Sequence, residues 1–164
     1  MARIREDQPL VPSVLDRLID EDPSLSREAP KSRSQVIREL KLSVRRDLEN
    51  LLNTRWRPVP WPAELTELEQ SLVNYGIPDF SGVNLSTPQD REDFRTTVER
   101  TIRMFEPRFK SVKVILLDNT NTADRVLRFR IDAMLHATPA PEPVVFDSTL
   151  EPSTATFDVQ GVAR

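Results

Sequence analysis

The chain of 164 residues carries 23 lysines and arginines against 26 aspartates and glutamates, a net charge of -3, and it has no cysteine. That balance argues against a nucleic-acid partner, which would call for a basic excess, and the missing thiols exclude disulfides, thiolate metal sites and cysteine nucleophiles, in keeping with a reducing, cytoplasmic setting. With 38% hydrophobic and 30% charged residues the length suits one domain, lean enough in apolar side chains that a partner is expected to complete part of its core.

Met1 to Asp7 have no apolar segment behind them and the longest strongly apolar run is Val114 to Leu117, so neither a signal peptide nor a membrane span is expected. Val11 to Ile19 reads as a short amphipathic helix, with Pro12 at its first position and Val14, Leu15, Leu18 and Ile19 on one side. Asp20 to Ser34 contains Pro23 and Pro30 and lacks periodicity, which predicts a linker. Residues 1–34 are therefore expected to form an arm, followed by one domain over 35–164.

Ser32 and Gln35 have the spacing of a capping box, and Ile37, Leu40, Val44, Leu48, Leu51 and Leu52 recur at helical intervals, predicting a long helix that ends near Arg55. Its other face, with Arg38, Lys41, Arg45, Arg46, Glu49 and Asn53, reads as solvated. Pro58, Pro60 and Pro62 make the next segment extended and put Trp56 and Trp61 in one loop, either as caps on the core or as partner-facing anchors. Leu65, Leu68, Leu72, Val73 and Tyr75 suit a further short helix closed by Gly76, and Ile77 to Ser86 a loop.

Thr87 as cap, Pro88 at the first position and Asp90 in the first turn open a helix that presents Phe94, Val98, Ile102 and Phe105 inward. Pro107 stops it and pushes Glu106 out of the α region. An acid and a base, Glu106 and Arg108, thus flank a rigid proline between Phe105 and Phe109, close to packed surface where charges need partners. A local ion pair bracing the corner and a contact site for another protein both fit.

Val112 to Leu117 reads as a strand, Asn119 to Asp124 as a hairpin loop, and Leu127, Phe129, Ile131, Ala133 and Leu135 alternate with polar residues as a half-buried strand. Shorter runs, Val144 to Phe146 and Thr154 to Val159, are expected to add edge strands separated by turn residues around Asp147 and Ser148. Helices followed by strands predict an α+β fold, a helical N-terminal half on a small, mostly antiparallel sheet.

Three glycines, at positions 76, 82 and 161, cannot write a phosphate loop or a dinucleotide fingerprint. The single histidine, His136, has no companion for a transition metal and is expected at the surface. No catalytic, cofactor-binding or metal site is predicted.

Four ordered words, Val11 to Pro23, Ser43 to Arg55, Asn74 to Gly82, and Glu106-Pro107-Arg108, resemble the TssE-type subunits of type VI secretion baseplates. These belong with the contractile-phage baseplate wedge proteins that carry a "lysozyme-like" label, and the resemblance runs from Val11 to Gly161. It implies a non-enzymatic structural subunit, assembled in the cytoplasm and recruited to the inner membrane through other subunits. The implied partners are TssF and TssG, with TssK a further candidate, and the TssB/TssC sheath. The resemblance makes Glu106, Pro107 and Arg108 the wedge contact. The sheet edge around Phe157 is the expected sheath contact, although the prolines at 139, 141 and 143 leave open which strand forms that edge. The label raises one enzyme alternative, a muramidase-like hydrolase, which would need two opposed carboxylates about 5 to 10 Å apart. Spacing singles out no second acid beside Glu106. A small adaptor unrelated to contractile machines is the third reading.

Overall fold

The computed structural model describes residues 14–19, 32–56, 62, 64–80, 87–118, 126–137 and 140–161. Of the expected linker, Asp20 to Lys31 lie outside them, as do Trp61 and the Asn119 to Asp124 loop, while Arg33 and Ser34 already belong to a helix. Among the described residues three α-helices, α1 (Val14–Leu18), α2 (Arg33–Asn53) and α3 (Pro88–Phe105), precede four strands, β1 (Phe109–Leu117), β2 (Leu127–Leu135), β3 (Glu142–Glu151) and β4 (Thr156–Gly161). The fold is α+β, as the order of patterns predicted.

The helix starts follow their caps. Ser32 Oγ accepts from the Gln35 N–H at 3.4 Å, and the Gln35 side chain accepts from the Ser32 N–H at 2.8 Å, which closes a capping box on α2. Thr87 Oγ1 accepts from the Asp90 N–H at 3.1 Å, with Pro88 at the first turn of α3. The predicted helix over Leu65 to Tyr75 is instead two 3-10 turns, Thr66–Gln70 and Leu72–Asn74. Ser71 breaks the run. Its backbone is extended and its hydroxyl accepts from the Val73 N–H, so a new turn starts and Leu72 is left exposed. Gly76 follows at φ +113°, where a Cβ would lie 2.4 Å from the Thr54 carbonyl oxygen. That close approach lets Ile77 pair with Arg55 across a single parallel bridge.

The sheet is an antiparallel meander in the order β1-β2-β3-β4. Phe129, Ile131, Ala133 and Leu135 of β2 are buried, as the alternation required, with Arg128 exposed between Leu127 and Phe129. β1 begins at Phe109, three residues earlier than expected, and is irregular between Phe109 and Ser111. The larger correction concerns β3. It is an unbroken ten-residue interior strand, not a short edge run. Asp147 and Ser148 resemble a turn in sequence, but Asp147 pairs with Arg130 of β2 at 2.7 Å and Ser148 faces the core. The edges are β1 and β4.

One face of the sheet holds the core. α2 lies against β4 and α3 against β1, and Leu48, Leu52, Phe94, Val98 and Ile102 pack over Phe129, Phe146, Phe157 and Leu150. The Phe94 ring meets Phe129 edge-on at 5.6 Å and stacks on Phe157 at 6.2 Å.

Candidate functional site

Pro107 ends α3 where the sequence placed the break. The Glu106 N–H still donates to Ile102 O at 2.8 Å, while its ψ of 81° turns the chain out of the helix. The Phe109 N–H donates back to Glu106 O at 3.3 Å, and the His136 N–H donates to Arg108 O at 2.9 Å, so the corner is fixed to the end of β2. Within it the Glu106 carboxylate is buried, Arg108 is partly buried, and Pro107 is exposed.

The charges find partners inside the chain. Arg108 Nε donates to Glu106 Oε1 at 2.6 Å, and Nη2 donates to Glu106 Oε2, a fork that occupies both carboxylate oxygens. The same Nη2 reaches Asp47 Oδ2 at 2.7 Å, and Nη1 donates to Ser43 Oγ at 3.0 Å. Ser43 Oγ in turn donates to Asp16 Oδ2 at 2.6 Å, and Arg46 Nη2 closes the circuit on Asp16 at 2.8 Å and Asp47 at 3.1 Å. Burial would lower the Arg108 pKa, but the hydrogen bonds and charges of Glu106 and Asp47 outweigh it and hold it above an ordinary arginine. The hydrogen bond to Asp16 raises that of Arg46. Tyr75, edge-on to Phe105 at 5.3 Å, has its phenol pKa raised by burial and then by Asp47 and Glu106.

Three of the sequence words therefore meet in one network, Asp16 from the first, Ser43, Arg46 and Asp47 from the second, and Glu106 and Arg108 from the fourth, and Tyr75 from the third packs on Phe105 beside it. The sequence singled out Glu106, Pro107 and Arg108 but not Asp16, Ser43 or Asp47. A small hydroxyl and an acid one turn apart, beside the apolar stripe of α2, were the available signal. Among the described residues, three carboxylates face two guanidiniums in this network.

Phe157 is 1% exposed, its ring in the core, so only its main chain is at the sheet edge. That edge is occupied. The Phe157 N–H donates to Asn53 Oδ1 at 2.9 Å, and Asn53 Nδ2 donates to Phe157 O at 2.9 Å. Arg45 Nη1 donates to Val159 O at 3.1 Å, and Arg55 donates to Ala155 O. Arg45 and Asn53, read as a solvated face, are thus committed to β4. On the other edge, the Val114 N–H donates to Glu99 Oε2 at 3.1 Å, and Glu99 is itself paired with Arg95 and Arg103.

Among the described residues no cluster of histidine, cysteine and acidic side chains is arranged to hold a metal ion. His136 is half-buried at the end of β2. No described helix is long and apolar enough to cross a membrane.

The family model for baseplate wedge protein gp25 matches residues 38–140, which run from the first turns of α2 to just before β3 and include Ser43, Asp47, Tyr75, Glu106 and Arg108. Neither curated proteins nor solved structures gave a match. With more than half of its length matched, and with the matched span carrying nearly all of the ion network, the chain belongs to the baseplate wedge protein gp25 family.

Proposed function

We propose that, within the wedge family, this chain is a TssE-type subunit of a type VI secretion baseplate. In this reading it is a structural component without catalytic activity, assembled in the cytoplasm and brought to the inner membrane by other subunits. Its Glu106-Pro107-Arg108 corner packs against TssF and TssG, with TssK as a further candidate neighbour, and its sheet meets the TssB/TssC sheath.

The observation that carries the wedge contact is the convergence of three separated words on one oriented network, with Tyr75 of the remaining word packed on Phe105 beside it. A cluster of acids and arginines oriented on a rigid corner fixes register for a partner through directional, charge-assisted pairs. The surroundings suit an interface. Pro107 is exposed, and α1, held to α2 through Asp16, turns Val14 (74% exposed) and Leu18 (75% exposed) to solvent. The hydrolase alternative loses its acid: both Glu106 oxygens are held by Arg108, and Asp16 and Asp47 are bound to arginines instead of facing Glu106 across a cleft.

Co-purification with TssF and TssG tests the reading. An Arg108→Ala variant that is shown to be folded is expected to lose these subunits, and undiminished recovery overturns the assignment of the corner. A turbidity assay on peptidoglycan separates the structural role from the hydrolase.

A further inference from the structure

The sheet has two edges, and side chains hydrogen-bond to the main chain of both through different central groups. On β1 the closing group is Glu99, half-buried and engaged by two arginines as well as by the Val114 N–H. Displacing it would strip a carboxylate of three partners. On β4 the closing group is the neutral amide of Asn53, an exposed residue.

The Asn53 amide does what a neighbouring strand would do. In an antiparallel ladder, two residues of a hydrogen-bonded pair exchange both N–H to O bonds. Asn53 makes both of these bonds to Phe157. Arg45 satisfies the Val159 carbonyl, two residues on from Phe157 and on the same side of β4, and Arg55 satisfies the Ala155 carbonyl in the turn that leads into the strand. The edge from 157 to 159 is a strand-pairing surface with a one-residue substitute already seated on it.

We propose that β4 is a masked strand-accepting site and that Asn53 is its latch, with an extended segment of a partner chain as the occupant that replaces it through main-chain hydrogen bonds. Release is local. Asn53 is the exposed last residue of α2, so a rotation of its side chain alone clears both bonds to Phe157 while Leu48, Leu51, Leu52 and the Arg55–Ile77 bridge stay in place. The latch keeps the isolated protein from pairing its own edge with another copy. This rests on the reading that the sheath meets the sheet, and it adds how that contact is held closed beforehand.

Asn53→Ala tests the latch without touching the core. Loss of both bonds is expected to speed amide exchange at Phe157 by roughly tenfold. Asp158, whose main chain faces Thr149 of β3, keeps its protection and reports that the strand is intact. With a second copy of the variant as probe, sedimentation at rising concentration is expected to show dimers that the wild type does not form, with Phe157 protected again in the dimer. Asn53→Asp, which keeps the acceptor and loses the donor, falls between the two. Unchanged exchange at Phe157 overturns the latch. Fast exchange without dimers, and without tighter binding of purified TssB/TssC, overturns the accepting site. Dimers formed by a variant that ignores TssB/TssC, as the wild type also does, leave the masked edge standing and refute the sheath reading instead.

Discussion

Replacing Arg108 by alanine removes the hub of the corner and leaves Glu106, 5% exposed, without its guanidinium. Asp47 and Ser43 lose a partner in the same step, though Asp47 keeps Arg46. Breaking a buried pair from one side costs about 3 to 5 kcal/mol, because the remaining charge is desolvated and uncompensated. The Arg108 side chain is 19% exposed, so water reaches part of the site and the lower half of that range is expected. For a chain of this size the loss corresponds to a fall in melting temperature of roughly 6 to 16 °C, which a domain of ordinary stability survives. Thermal melts followed by circular dichroism measure it. Arg108→Ala combined with Glu106→Gln removes the stranded charge and is expected to recover part of the loss, while Arg108→Lys, unable to reproduce the fork, stays below wild type. An Arg108→Ala protein that melts within about 1 °C of wild type refutes the account, because surface substitutions are the ones that cost so little.

Phe129→Asp places a charge in the ring cluster with Phe94 and Phe157 and is expected to abolish the cooperative melt, whereas Arg128→Ala, one residue earlier on the open face, stays within about 0.5 kcal/mol of wild type; equal effects would mean the β2 register is wrong. Ser148 Oγ is buried with no hydrogen-bond partner, so Ser148→Ala is expected to raise stability by about 1 kcal/mol in a urea titration, and a loss of that size would show that the hydroxyl is satisfied in solution. Because the folded pKa of Tyr75 lies above the ordinary value of 10.0, its contribution to stability is complete below that pH and is lost as pH rises from there through the folded pKa. Tyr75→Phe should therefore flatten the alkaline limb of a stability-versus-pH curve, and an unchanged limb would contradict the environment assigned to the phenol.

How much of this was legible in the sequence depended on the range of the interaction. Caps act over three residues, so Ser32 with Gln35 and Thr87 with Asp90 announced their helices, and Pro107 announced the corner. The alternation of β2 fixed its buried face. Short-range pattern failed where a distant partner decided the outcome. Asp147 and Ser148 carry turn chemistry, and only Arg130 across the ladder and the core beneath make them strand. Arg45 and Asn53 look solvated on α2 because the main chain they bind lies more than a hundred residues away in β4. The network shows both cases at once: Glu106 and Arg108 were visible as neighbours around a proline, while Asp16, Ser43 and Asp47 join them only through the packing of α1 and α2 against the corner.

The account turns on the ion network being the surface that other wedge subunits grip. Hydrogen exchange of the unmodified chain, alone and in complex with purified TssF and TssG, maps that surface without a variant whose folding must be argued separately. The account predicts new protection along Val14 to Ile19, around Ser43 to Asp47 and at Glu106 to Phe109. Unchanged exchange at all three, with protection gathered instead at the exposed Leu72 and Val73 turn, would contradict it.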